Sequence, residues 1–175
     1  MRKYLAVLAA AALLAGCDDD FGPRPPELEV TGTYLMTALT FDPQGSLPPV
    51  DLLARLDVAT RPRLVMGRNG RAQLVFENPA TGLITLANVT YTGTTGGDVR
   101  IDFASGSNNL YRNVLLSARM SFHWNEAAGT LTFVGPSPDG VDRTRLLQLV
   151  PEWQGEQLFD PVPGELAVVF TLPAD

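Results

Sequence analysis

From Thr31 onward the chain alternates apolar and polar side chains, and Gly, Asn and Pro interrupt the alternation roughly every 8–12 residues. Ala72, Leu74 and Phe76 share one face of a segment whose other face carries Arg71, Gln73 and Glu77. Val99, Ile101 and Phe103 alternate with Arg100 and Asp102, and Ala118, Met120, Phe122 and Trp124 with Ser117, Arg119, Ser121 and His123. Leu131 and Phe133 alternate with Thr130 and Thr132. Successive side chains of a strand point to opposite faces, so this pattern belongs to antiparallel sheet with one dry face and one wet one.

The interruptions read as turns. Gly67-Arg68-Asn69-Gly70 carries an Asn-Gly pair, which accepts positive φ and closes a tight hairpin. Further hairpin loops are expected at 78–82, 93–98 and 125–129. The strands predicted between them are 31–41, 61–67, 71–77, 83–92, 98–103, 116–124, 129–134, 143–150 and 165–172, with 143–150 readable as either strand or helix after Asp142. Leu52 to Leu56 is the best short-helix candidate, and Asn108 to Leu115 a second. A meander of about eight or nine strands leaves two exposed edges unless it closes on itself. The expected fold is all-β, an antiparallel up-and-down barrel with one or two short helices; an open β-sandwich is the alternative.

The N-terminus carries a different signal. Arg2 and Lys3 precede an apolar run from Leu5 to Leu14, then Ala15, Gly16 and Cys17, the only cysteine of the chain. A membrane-spanning helix needs roughly 20 apolar residues, so this run is too short to cross and reads as a removable targeting segment. Leu14-Ala15-Gly16-Cys17 resembles the lipobox of bacterial lipoproteins. That resemblance implies cleavage before Cys17 and lipid on its sulfur, with two or three acyl chains giving stable attachment. It divides the chain into a signal peptide (1–16), a lipidated acidic and Pro-rich linker (17–29) and a β-barrel domain (30–175). The linker, Asp18-Asp19-Asp20 through Pro23, Pro25 and Pro26, is expected to be hydrated and extended. The implied location is the cell envelope, with the choice among inner membrane, outer membrane and surface left open.

Gly32-Thr33-Tyr34 opens the first long strand directly after this linker. It is similar to the Gly-x-Trp/Tyr opening of lipocalin-like domains, and the order of a first strand, a long connection with a short helix and a run of hairpins is similar too. The resemblance implies a barrel that holds a small apolar ligand, with the connection Asp42 to Arg61 covering the open end. On this reading Tyr34, Met36, Phe76, Phe103, Met120, Phe122, Trp124 and Phe133, together with Phe170, line the interior. Tyr34, Asn88 or Tyr91 would supply the few polar groups that a pocket needs. The same aromatics could equally fill the barrel as its own core.

Chemistry is otherwise sparse. His123 is the only histidine, and alternation turns it away from Phe122 and Trp124 towards solvent. No Ser-His-Asp or histidine metal site can be assembled around it from sequence. Asp98 and Asp102 flank one strand without a recognisable catalytic spacing. Asp18-Asp19-Asp20 lacks the spacing of a calcium loop, and Gly93 to Gly97 lacks the lysine and helix of a phosphate loop. Net charge is −6, and −8 without Arg2 and Lys3, with scattered arginines, which excludes nucleic acid as an expected partner. The sequence thus predicts a non-enzymatic protein with no metal and no cofactor. Its expected partners are a membrane through the N-terminal lipid and either a small hydrophobic molecule or another envelope protein. In the second case the domain would be an interaction or structural module with a packed, ligand-free core.

Overall fold

The computed structural model describes residues 30–68, 70–78, 81–93, 97–106 and 109–173. The signal peptide, Cys17, the linker through residue 29, Asn69 and Asn108 lie outside the described residues. The strands are β1 (Gly32–Pro43), β2 (Val50–Asp51), β3 (Arg63–Met66), β4 (Arg71–Glu77), β5 (Ile84–Gly93), β6 (Asp98–Asp102), β7 (Arg119–Asn125), β8 (Thr130–Pro136) and β9 (Gly164–Thr171). One α-helix, α1 (Arg143–Leu149), lies between β8 and β9. All pairings are antiparallel, in the order β1-β3-β4-β5-β6-β7-β8-β9, and β9 returns to pair with β1. The result is a closed eight-stranded barrel with β2 added beside the far half of β1. Closure rules out the open sandwich.

β1 makes closure possible by serving two neighbours. Its residues 32–35 pair with β3, and 35–43 pair with β9. Between the two, the register shifts at Met36/Ala38, leaving Thr37 as an extra residue. Such a bulge reverses the parity of a strand. Tyr34 and Met36 are therefore buried on one side of it, and Leu39 and Phe41 on the other. The Thr37 hydroxyl meets the Thr171 hydroxyl at 2.8 Å across the junction.

The two ends of the barrel differ because the connections differ. At one end β3 is followed by β4, β5 by β6 and β7 by β8 over short connections, and here the chain enters at the buried Val30. At the other end three longer connections, 44–62, 103–118 and 137–163, lay Leu52, Leu53, Leu56, Tyr111, Leu115, Leu146, Val150 and Trp153 into the core. Each such side chain contributes about 1.5–3 kcal/mol on burial. Side chains also stitch these connections together. The Arg55 guanidinium forms a two-pronged pair with Glu152 and donates to Leu149 O at 3.1 Å. Arg145 Nε donates to Asn113 O at 3.0 Å, and Ala118 N donates to Asp139 Oδ2 at 2.7 Å.

The ambiguous segment 143–150 is helical over Arg143–Leu149. The Asp142 carboxylate accepts from Arg145 N at 2.7 Å, a side-chain N-cap. Leu146 and Val150, four residues apart, are both fully buried, so the apolar spacing follows a helix face. Pro151 stops the helix, because it lacks an N–H and disfavours helical geometry in the residue before it. The two short-helix candidates are single 3₁₀ turns, Leu53–Arg55 and Leu110–Val114. β2 has only two residues and no sequence pattern announces it.

Gly164 opens β9 where β1 lies closest. A Cβ there would stand 2.5 Å from Asp42 O and from the Phe41 ring. Gly164→Ala is expected to destabilise the domain by about 1–3 kcal/mol, read as a lower urea midpoint in tryptophan fluorescence. Gly155→Ala meets nothing within 4 Å and should leave the midpoint near that of the wild type. Equal midpoints for the two variants would contradict this account of closure.

Candidate functional site

The interior of the barrel is an aromatic column. Phe122, on the inward face of β7, stands 6.4 Å from Phe103, 6.0 Å from Phe133 and 5.9 Å from Phe170 between ring centroids. Three of these rings come from different strands (β7, β8 and β9), and Phe103 from the residue just past β6. These are neighbouring strands, and their order in the sheet brings the four rings together. Tyr34 and Trp124 form an edge-to-face pair at 5.7 Å nearer the hairpin end. Such pairs add about 0.5–1.5 kcal/mol beyond area burial. Tyr34, Met36, Phe76, Phe103, Met120, Phe122 and Phe170 are buried, while Trp124 and Phe133 are half-buried. All of the expected lining residues therefore face the same interior.

The polar groups separate differently. Asn88 lies on the outer wall, where its side-chain oxygen accepts from Gln73 Nε2 at 3.2 Å, so it does not converge on the interior. The expectation fails there because Asn88 shares the parity of the outward residues Ile84 and Leu86. Tyr91 points inward, and its hydroxyl donates to Gly67 O at 2.6 Å, closing the hairpin end. Tyr34 is wholly buried and its hydroxyl has no hydrogen-bond partner among the described residues. Burial first, and the neighbouring Tyr91 second, push the Tyr34 phenol up to about 12. It is a neutral donor at any physiological pH.

The ladders of the wall end early in two places, at β5–β6, which pair only over Thr90–Gly93, and at β7–β8. β7 and β8 pair only through His123↔Thr132, Trp124↔Leu131 and Asn125↔Thr130, although β7 begins at Arg119 and β8 runs on to Pro136. Below His123 and Thr132 the strands part. Past this point Ser117 Oγ meets Ser137 Oγ at 2.9 Å, and the backbone Ala118 N donates to the Asp139 carboxylate. The backbone groups of Ser121 and Val134 face this window. Trp124 N bonds Gly97 O, which assigns the even positions of β7 to β6 and the odd ones to β8. By the same alternation Leu172 N to Gly129 O leaves the even positions of β8 facing β7. Val134 is 71% exposed, and the half-buried Phe133 ring lies 6.0 Å from that of Phe122. This feature escaped the sequence reading. Its one signal was Pro136, which cannot donate to a ladder and marks strand ends and edges.

The outer wall holds the ionisable groups. His123 is exposed, with Nδ1 3.4 Å from Asp98 Oδ1, and Arg119 pairs with Asp102 at 3.0 Å. Asp98 and Asp102 thus point away from the interior, and they do not face one another across it. No group of three or more His, Cys, Asp or Glu residues able to hold a metal occurs among the described residues, and none of their helices is long and apolar enough to cross a membrane. Comparison with models of protein families, with curated proteins and with solved structures finds no match to this chain.

The raised pKa of Tyr34 sets a pH dependence. Between the ordinary value of 10.0 and about 12 the native state keeps a proton that the unfolded chain has lost. Stability is therefore complete below that window and falls as pH rises through it. Tyr34→Phe should flatten this fall, checked by urea midpoints of both proteins across the same range. An identical slope in the variant would show that the phenol is not desolvated.

Proposed function

We propose that this chain is a lipid-anchored protein of the cell envelope, held at a membrane by acylated Cys17. Its barrel binds a small apolar molecule and does not transform it. The observation that carries the binding reading is the window between β7 and β8. An aromatic interior sealed on all sides would be only a core. An interior reached through a gap in the wall, with the half-buried Phe133 on the strand beside it, offers a route for a ligand. Supporting this are the apolar lining from Met36, Phe76, Phe103, Met120, Phe122 and Trp124, and one inward hydroxyl on Tyr34. That combination suits a pocket that is mostly apolar with few polar groups. The anchor reading is supported by Leu14-Ala15-Gly16-Cys17 and the acidic, Pro-rich stretch that follows it.

A second reading, docking to another envelope protein, is favoured by one stretch of the outer wall. β5 pairs with β6 only over Thr90–Gly93, so Ile84 to Val89 has no strand on that side among the described residues. Ile84 is 60% exposed and Leu86 58%. Ile84 also borders a groove of about 560 Å³ with Leu35, Leu53, Pro62, Arg63 and Glu77. Gly106 lies against the Asn88 backbone, so the open part of this edge is the stretch with Ile84 and Leu86, a template for an added strand.

Native mass spectrometry of the unacylated Cys17→Ser chain, purified from cells, is expected to show a co-purifying hydrophobe. Combined Phe103→Ala and Trp124→Ala should lose it, and Phe133→Ala should speed uptake of a fluorescent apolar probe several-fold. A ligand-free barrel that takes up no such probe would overturn the binding reading in favour of docking. In cells, Cys17→Ser should abolish incorporation of labelled fatty acid and move the protein out of the membrane fraction. Labelling that persists in the variant would overturn the anchor.

A further inference from the structure

We infer that the molecule held in this barrel carries one neutral hydrogen-bond acceptor, a ketone, ester or ether oxygen, that receives the hydroxyl of Tyr34. This deepens the ligand-binding reading above and rests on it. A buried hydroxyl with no partner is costly, whereas the same group paired is favourable, so it points to something that pairs with it. Tyr34 is wholly buried on the inner face of β1, and its hydroxyl is unpartnered among the described residues. The nearby inward phenol of Tyr91 donates to Gly67 O at 2.6 Å and makes no hydrogen bond to the Tyr34 hydroxyl. The Trp124 ring, edge-on to Tyr34 at 5.7 Å and half-buried, gives the same spot an apolar wall.

The charge of the acceptor follows from what surrounds it. Among the described residues the buried polar or charged side chains are Thr60 and Ser117. Thr60 Oγ1 donates to Asp57 O in the first connection, and Ser117 Oγ pairs with Ser137 at the window. Among the described residues no arginine or histidine is buried as a whole, and the one shielded, unpaired arginine nitrogen, Nε of Arg143, lies on α1 in the connection at the opposite end of the barrel. An anion brought here would lose its hydration without gaining a counter-charge, which is prohibitive. A phenol is a good donor, and a neutral carbonyl or ether oxygen accepts from it without that penalty. The ligand class is therefore an apolar body with one uncharged oxygen, and fatty-acid anions are excluded.

Three probes of one shape test this on the full Cys17→Ser chain. They are 2-acetylnaphthalene, with a ketone; 2-ethylnaphthalene, without one; and 2-naphthoate, with a carboxylate. Titration followed by Trp124 fluorescence in a Trp153→Phe background should show the ketone bound about fivefold more tightly than the hydrocarbon, with the carboxylate weakest. Tyr34→Phe should abolish that preference, keep the affinity for 2-ethylnaphthalene and melt no lower than the parent protein. Equal affinities for ketone and hydrocarbon in the parent, or a preference that survives Tyr34→Phe, would overturn the inference while leaving ligand binding intact. Tighter binding of 2-naphthoate would overturn the neutral head group. Binding of none of the three would overturn the ligand-binding reading itself. Should Tyr34→Phe fold poorly, the infrared carbonyl stretch of bound 2-acetylnaphthalene decides. A shift to lower wavenumber on binding supports the bond to Tyr34, and an unshifted band overturns it.

Discussion

Pairing of β1 with β9 joins the first strand of the meander to the last, and the interior exists only because that joint closes. Eight residue pairs make it, from Leu35↔Thr171 to Pro43↔Gly164. The joint carries a constraint that a simple strand could not meet. β1 must face β3 with one half and β9 with the other while keeping apolar residues inward throughout. The bulge at Thr37 solves this by reversing parity, so that Tyr34 and Met36 in one half, and Leu39 and Phe41 in the other, enter the same core. Gly164 lets the two backbones approach where a Cβ would strike Phe41.

Closure at that joint gives the parted strands elsewhere their meaning. In an open sheet, the failure of β7 and β8 to stay paired would be fraying at an edge. In a closed barrel it is an opening in a wall, framed by backbone pairs above and by Ser117, Ser137, Ala118 and Asp139 below. At the far end three connections lay leucines and Trp153 into the core and are tied across by Arg55 to Glu152. The arginine also holds the Glu152 carboxyl below its ordinary range. Half-buried Arg145 is pushed the other way, its pKa lowered by desolvation, and it donates to Asn113 O and Gln148 Oε1. These contacts tie the three connections to one another across the far end of the barrel.

Much of this was legible in the residues. Period-two alternation located β4, β6, β7 and β8, and the inward faces it assigned, from Ala72 to Phe76 and from Met120 to Trp124, are the inward faces of the barrel. What alternation cannot express is a change of parity within a strand or a change of partner along it. It therefore missed the bulge at Thr37, the two-residue β2 and the early end of β7–β8 pairing. The helix at Arg143–Leu149 stayed ambiguous because a seven-residue segment with leucines at 146, 147 and 149 satisfies either period; the Asp142 cap and tertiary burial of Leu146 decide it. The placement of Asn88 on the outer wall was available from its parity. That the Tyr34 hydroxyl meets no partner among the described residues was not, because it depends on which side chains the other strands bring near.

The central claim is a barrel closed at β1–β9 and parted at β7–β8, and amide hydrogen exchange along those two strands measures it directly. Ser121 and Val134 face the window without a ladder partner, whereas His123 and Thr132, the last pair above it, exchange hydrogen bonds with each other. The account predicts that Ser121 and Val134 amides exchange far faster than those of His123 and Thr132. Amides of β1 and β9, from Leu39 to Phe41 and from Leu166 to Phe170, should be the slowest. Equal protection of Ser121, Val134, His123 and Thr132 would mean that the wall is whole there, and would contradict the proposed route to the interior.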